Sequence, residues 1–137
     1  MKLDPSAFVA DKELLDALQT RSTLIVCEED RVLFQQGDPP TGLYILRSGA
    51  ATLTMTSQTG ETILSTPVKA GALLGLPGFI SDQPYSLTGK ASKGAELGFV
   101  SRGDFSELML NNPSLSLKVL SVLAAEVRAA RDVLSGS

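Results

Sequence analysis

The stretch Arg31-Val-Leu-Phe-Gln-Gln-Gly-Asp-Pro-Pro-Thr-Gly-Leu-Tyr-Ile-Leu-Arg-Ser-Gly49 decides the fold of this chain. Two short apolar runs in it are separated by a Gly-Asp-Pro-Pro turn at residues 37–40, a pattern typical of consecutive β-strands. Gly37 and Gly49 supply turn conformations that residues with a Cβ atom resist. The stretch therefore predicts two strands joined by a turn, with the second strand buried.

Apolar runs and turn signals continue on both sides of this stretch, from Thr23 to about Val100. The run Ala50–Thr56 alternates apolar and hydroxyl side chains, which predicts a strand with one buried and one solvated face. Strands at this spacing indicate an all-β sandwich or roll, here over residues 21–101. The predicted strands are Thr23–Cys27, Arg31–Phe34, Gly42–Arg47, Ala50–Thr56, Thr62–Val68, Tyr85–Ala91 and Glu96–Ser101.

Helical patterns flank the β region. Residues 1–20 predict a short helical segment with Asp11 as its N-cap. After the β region, Asp104-Phe-Ser-Glu107 has the spacing of a capping box, which predicts a short helix Phe105–Leu110 within residues 104–110.

A long helix follows at residues 113–134. Asn112 is placed as its N-cap and Pro113 at the first helical position, and the helix is expected to run from Ser114 to about Leu134 and to end near Gly136. Its apolar residues fill a sector about 160° wide on a helical wheel. They are Leu115, Val119, Leu120, Val122, Leu123, Val127, Ala130, Val133 and Leu134.

This sector is wider than the stripe of about 100° that packing on one sheet requires. A 3-4-3-4 spacing within it predicts a homodimer seam, and the alternative is a helix packed deeper into its own domain. Glu126 also falls in the sector, where a carboxylate must pair, reach the rim or titrate, and we place it at the edge of the seam. The seam residues are Leu120, Leu123, Val127, Ala130 and Leu134.

The composition excludes most enzyme classes. The chain has no histidine, so Ser-His-Asp and Cys-His catalysis are ruled out and the usual metal sites lose their commonest ligand. The single cysteine, Cys27, excludes an internal disulfide and lies in an apolar run, which predicts a buried small side chain instead of a reactive thiol. We therefore expect a non-enzymatic protein without a metal site.

Charge and hydropathy exclude two further partners. The net charge is −3 and no Lys/Arg cluster is present, so direct binding of DNA or RNA is not expected. No apolar run approaches the roughly 18 residues of a membrane span. Residues 1–10 lack the basic start and apolar stretch of a secretory signal, and a cytoplasmic protein is expected.

The stretch quoted first resembles the opening of cyclic-nucleotide-binding domains of the Crp/Fnr regulator class. The resemblance continues through Gly60-Glu61, the segment 71–91 and the Asn-Pro start of the long helix, and it covers nearly all of residues 12–134. The positions that match the family pattern are Leu33, Phe34, Gly37, Asp38, Leu43, Tyr44, Ile45, Leu46 and Gly49.

This resemblance implies a mainly-β fold for the single domain 1–137. The expected architecture is a jelly-roll-like double-stranded β-roll, flanked by short helices and followed by a long C-terminal helix that dimerises the domain. In full-length regulators of this class a DNA-reading helix-turn-helix follows. The chain stops at Ser137, so that module is expected to be missing, either natively or because the chain is a fragment.

The resemblance also places a ligand loop at residues 71–86. Gly71 and Gly75 fall on the family's glycines, and Ser86 falls on the hydroxyl that donates to the phosphate. Leu76 stands where the family's Glu binds the ribose, and Tyr85 stands where its Arg neutralises the phosphate.

The two replaced positions carry the charges that hold a cyclic nucleotide. A charge-assisted phosphate contact contributes on the order of 2–5 kcal/mol. Loss of the Arg alone weakens binding by about 30-fold to several thousand-fold. We therefore expect no tight binding of cyclic AMP or cyclic GMP by the usual mode, and we predict no cofactor.

Three functions remain open at this point. We favour a regulatory module that responds to a small-molecule effector; the alternatives are a constitutive dimerisation domain without a ligand and a genuine cyclic-nucleotide binder with a non-standard pocket. The loop is strongly apolar, so its side chains either fill the pocket themselves, the favoured interpretation, or admit an apolar or aromatic ligand. The residues considered as pocket lining are Leu74, Phe79, Ala130 and Arg131, the last as a source of a cation.

Overall fold

Eight strands in two antiparallel four-stranded sheets form the body of the molecule. The computed structural model describes residues 3–134, with side chains up to residue 132. The strand orders are β1-β8-β3-β6 and β2-β7-β4-β5, and this arrangement confirms the predicted mainly-β roll. The strands are β1 (Thr23–Val26), β2 (Arg31–Phe34), β3 (Gly42–Ser48), β4 (Ala51–Thr56), β5 (Thr62–Val68), β6 (Leu73–Leu74), β7 (Thr88–Ala91) and β8 (Glu96–Ser101).

The loop region differs most from the sequence-based expectation. Strand β6 and the short helix α2 (Leu76–Ser81) both lie within residues 71–86, where the resemblance places the ligand loop. Strand β7 begins at Thr88, three residues later than the predicted start at Tyr85. Tyr85 leaves the sheet because its backbone bonds to the turn before β3: its amide donates to Asp38 O at 2.9 Å and its carbonyl accepts from Gly37 N at 2.8 Å.

The helices that precede and follow the roll are α1 (Lys12–Gln19) and α3 (Arg102–Asn111). Asp11 caps α1 as predicted, because its Oδ1 accepts from Leu14 N at 2.9 Å. Helix α3 begins three residues before the predicted start at Phe105, and its N-cap is Ser101, whose Oγ accepts from Asp104 N at 3.2 Å. Asp104 therefore lies in the first turn, and the predicted capping box does not form.

The long helix α4 (Pro113–Leu134) starts with proline as predicted. The side chain of Asn112 does not cap it: its Nδ2 donates to Leu108 O of the preceding helix at 3.3 Å. Lys118 ties α4 to α1 through an ion pair with Asp11, 2.5 Å between Nζ and Oδ2. The expected helix end near Gly136 lies outside the described residues.

Two buried clusters form the core. The first lies between the two sheets and includes Cys27, which is buried as predicted. The second lies between the β1-β8-β3-β6 sheet and the helices, and α4 contributes Leu115, Val119 and Val122 to it. Within the described part of the chain, no helix is both long enough and apolar enough to cross a membrane.

Helix α4 leaves part of its apolar sector uncovered. Leu117, Leu120 and Val127 are 69%, 56% and 52% exposed. Of the predicted seam, Leu120 and Val127 therefore face outward, whereas Leu123 packs on the second cluster and Ala130 on the first. The side chains of Val133 and Leu134 lie outside the described residues.

Candidate ligand pocket

A cavity of about 220 Å³ lies between the β-roll and α4. The N-terminal segment, strands β2, β4 and β5, the segment from Gly75 to Leu87 and helix α4 all contribute to its wall. The lining residues are Leu3, Phe8, Phe34, Leu53, Met55, Leu64, Gly75, Pro77, Gly78, Tyr85, Ser86, Leu87, Glu126, Val127 and Ala130.

Gly75 makes the approach of the loop to the cavity wall feasible. Its φ is +85°, in the left-handed region, and it is the N-cap of α2. A Cβ atom at this position would lie 2.9 Å from Cε1 of Tyr85. Any larger residue at 75 would therefore meet both a backbone penalty and a ring contact that is too short.

Tyr85 has a structural role at the position where the family's Arg is expected. Its hydroxyl donates to Gly42 O at 2.8 Å and accepts from Thr41 N at 3.0 Å and Gly42 N at 3.3 Å. Its ring stacks on Phe34, with centroids 4.4 Å apart. The hydroxyl thus satisfies backbone groups at the start of β3, and the ring forms part of the cavity wall.

Only some of the residues predicted for the site line the cavity. Those that do are Gly75, Tyr85, Ser86 and Ala130. Leu76 and Phe79 turn into the second core cluster and Leu74 into the first, so these side chains leave the cavity open. Gly71 lies elsewhere, where an added Cβ would face Val9 and Leu15, and Arg131 is exposed and outside the lining.

Glu126, predicted from the sequence at the edge of the helix seam, instead faces the cavity. It is only 6% exposed and belongs to the cavity lining. Its Oε2 atom is fully buried and has no hydrogen-bond partner. Desolvation raises the pKa of this carboxyl from 4.5 to about 8. The sequence did indicate that Glu126 lies in the apolar sector of the helix. A helical wheel does not show which edge of that sector faces the roll, so the burial of Glu126 in the cavity could not be predicted.

The described lining of the cavity offers no cationic side chain to an anion. Within the described part of the chain, no lining residue is Lys or Arg, and Glu126 is an acid. A phosphate site in a protein normally combines backbone amides with at least one cationic side chain. Among residues 3–132, no three acidic or cysteine side chains come together as a metal site either.

The fold is a mainly-β roll followed by a long C-terminal helix. The sequence model of the cyclic nucleotide-binding domain family matches residues 24–112. The chain therefore belongs to the cyclic nucleotide-binding domain family, and its structural neighbours are transcription regulators of the Crp/Fnr type, as the sequence resemblance implied.

Several solved structures share this fold. The catabolite activator protein of Thermus thermophilus superposes with a TM-score of 0.79 at 24% identity, over 96% of this chain and 63% of that one. A transcriptional regulator of Thermotoga maritima gives 0.74 at 21%, over 88% and 94%. The sensor domain of the regulator DNR from Pseudomonas aeruginosa gives 0.67 at 21%, over 89% and 82%.

A sequence relative lies in Haemophilus influenzae. This uncharacterized protein is 23% identical over 100 residues, which are 73% of this chain and 78% of that protein. The present chain spans less than two thirds of the length of the Thermus activator.

Proposed function

We propose that this chain is the non-enzymatic sensory module of a Crp/Fnr-type transcription regulator that has lost the usual mode of cyclic-nucleotide binding. The observation that carries the proposal is the cavity itself: it occupies the space between the roll and α4, it is apolar, and its wall holds Glu126 and no cationic side chain within the described residues. Such a wall favours an apolar effector over a phosphate, because a buried anion needs a cationic or N–H partner.

The replaced positions support this proposal. Tyr85 cannot take over the task of an Arg, because its hydroxyl is already bonded to Thr41 and Gly42. Leu76 is fully buried in the second core cluster and does not belong to the cavity lining. Neither side chain is therefore available to anchor a phosphate or a ribose.

Helix α4 is the element through which a bound effector would influence the rest of a regulator. Glu126, Val127 and Ala130 of this helix line the cavity. Val127 also belongs to the exposed apolar stripe of α4, so an occupant of the cavity contacts the same turn of helix that faces outward. A shift of this turn changes the surface that α4 presents.

We assign the exposed stripe of α4 to a second copy of the chain. Leu117, Leu120, Ala124 and Val127 are all exposed and repeat at intervals of three and four residues, which is the spacing of a helix-pair seam. A two-fold pairing places the same stripe of each copy against the other. A cytoplasmic location belongs to the same proposal, because a transcription regulator works where the DNA is.

Thermal unfolding with cyclic AMP and cyclic GMP tests the lost nucleotide site. A ligand at 100 times its Kd raises the unfolding free energy by about 2.7 kcal/mol, which is a readily measured shift. We expect no shift at millimolar nucleotide. A clear shift with either compound would refute this proposal and favour a genuine binder with a non-standard pocket.

A further inference from the structure

We propose that the cavity binds a compact apolar amine whose N–H group donates a hydrogen bond to Oε2 of Glu126. This inference rests on the proposed function, since it names the effector class of the same cavity. It is carried by the burial of that oxygen, by its missing partner and by the apolar wall that surrounds it.

The position of Glu126 is set by the helix. It lies four residues after Val122, which is buried in the core, and four residues before Ala130, which packs on the first cluster. Side chains at this spacing share one face of a helix. The carboxyl group is therefore held against the roll.

A buried acceptor without a partner requires an explanation in a native structure. A bound water does not explain the missing partner well, because a buried water needs two to four polar partners. The hydroxyl of Tyr85 is already bonded to Gly42, and most of the remaining lining side chains are apolar. A ligand with a donor group satisfies Oε2 and fills the apolar space in one step.

The titratable side chains around the cavity favour a cationic ligand over an anionic one. Among the described lining residues the titratable side chains are Glu126 and Tyr85. The N-terminal segment contributes Leu3 and Phe8, and its nearby Asp4 is exposed and bonded to Ser6. Strands β2, β4 and β5 contribute only apolar side chains to the wall. An anionic ligand would find no cationic side chain in the described lining, whereas an ammonium group can pair with the Glu126 carboxylate once that carboxyl has released its proton.

The size of the cavity sets the scale of the ligand. A volume of about 220 Å³ is several times the roughly 30 Å³ of one water molecule in the liquid. A six-carbon alkyl or a phenylethyl group is of that scale. The apolar body would then lie against Phe34, Leu53 and Leu64, with its amine toward α4.

Calorimetric titration with three compounds of similar size tests the proposal. We use 2-phenylethylamine, neutral 2-phenylethanol and anionic 3-phenylpropionate, with hexylamine as a second amine. We expect the amines to bind at least tenfold more tightly than the alcohol, and the acid to show no binding. Glu126→Gln should reduce amine affinity at least tenfold and leave the alcohol unchanged.

Proton release gives an independent readout. Burial raises the pKa of Glu126 to about 8, so at pH 7 the free carboxyl is mostly protonated and must lose its proton to pair with an ammonium. Binding at pH 7 should release close to one proton, seen as a dependence of the binding enthalpy on the buffer. Amine affinity should rise by up to tenfold per pH unit from pH 6 to pH 8.

Matched variants separate the outcomes. Glu61→Gln, an exposed carboxylate in the β4–β5 turn, should leave every titration unchanged. Equal binding of amine and alcohol, or amine binding that Glu126→Gln leaves unaltered, would overturn the amine assignment but leave an apolar effector site. Failure of both amines to bind folded wild-type protein would also overturn it. Binding of cyclic AMP would instead refute the proposed function.

Discussion

The hydroxyl of Tyr85 donates to the carbonyl oxygen of Gly42 at 2.8 Å, and through this bond the ligand-loop segment is fastened to the first residue of β3. The same hydroxyl accepts from the amides of Thr41 and Gly42. One side-chain oxygen thus satisfies three backbone groups at a part-buried turn.

Tyr85→Phe should therefore destabilise the fold by about 1–3 kcal/mol, since it leaves backbone donors and an acceptor without partners. Urea unfolding of the variant measures the loss. Tyr44→Phe is the comparison, because the Tyr44 hydroxyl bonds to one backbone group, Leu33 O at 3.2 Å, and otherwise to the side chain of Thr41. An equal loss of unfolding free energy in both variants would show that the hydrogen bonds around Gly42 contribute no more to stability than those of the Tyr44 hydroxyl.

Gly75→Ala should destabilise the protein by about 1–3 kcal/mol, because alanine at a positive φ is strained. The added Cβ also meets the ring of Tyr85 at 2.9 Å. Gly60→Ala supplies the comparison: its φ is +89°, and an added Cβ there has no atom within 4 Å. The difference between the two variants in urea unfolding measures the ring contact alone, and a difference of zero would contradict it.

Glu126 should make the wild-type protein less stable as the pH rises. The pKa of its carboxyl is about 8 in the folded protein, against an ordinary value of 4.5 for an exposed glutamate. Between these values the folded state holds a proton that the unfolded chain has released, so the unfolding free energy falls by up to about 1.4 kcal/mol per pH unit.

Glu126→Gln should remove this slope, so that the variant equals the wild type near pH 4 and exceeds it in stability by pH 8. Urea midpoints at intervals between pH 4 and pH 9 measure the effect, with Glu61→Gln as the exposed control. Parallel pH profiles for wild type and Glu126→Gln would mean that the carboxyl ionises freely in the fold.

Leu120→Glu should convert the proposed dimer to a monomer, because it places a charge at the centre of the exposed stripe on α4. Sedimentation equilibrium measures the mass. Leu110→Glu is the control, since Leu110 is 81% exposed on α3 and lies off the stripe. A monomeric wild type, or equal dissociation by both substitutions, would rule out this seam. Leu123 is less suitable because it packs on the core.

The sequence was sufficient for the roll because its turns and strands are short-range features. The Gly-Asp-Pro-Pro turn and the alternation of Ala51–Thr56 both reflect local backbone and burial preferences. Strand β6 has only two residues, too few for any periodicity. The start of α3 was missed because Ser101 and Asp104 are both good N-caps, and local preference does not choose between them.

The cavity could be predicted only in part. Its loop residues follow from the family pattern, but the outward or inward turn of each side chain depends on packing across the molecule. Leu76 and Phe79 of helix α2 belong to the second cluster, where the ring of Phe79 packs edge-on against Phe105 with centroids 5.0 Å apart. Glu126 faces the roll because Leu115, Val119 and Val122 pack into the second cluster and so fix the rotation of α4. A helical wheel shows which residues share a face, but it does not show these tertiary contacts.

The hydrogen bonds of Tyr85 also limit which side chains the fold can accept at this position. An arginine at position 85 has only donors, so it would leave the amides of Thr41 and Gly42 without the oxygen that accepts from them. A phosphate site built around an arginine at position 85 would therefore require coordinated changes in the 37–42 turn as well as in the loop. A single substitution of Tyr85 by arginine is therefore expected to lower the stability of this turn before it contributes anything to phosphate binding.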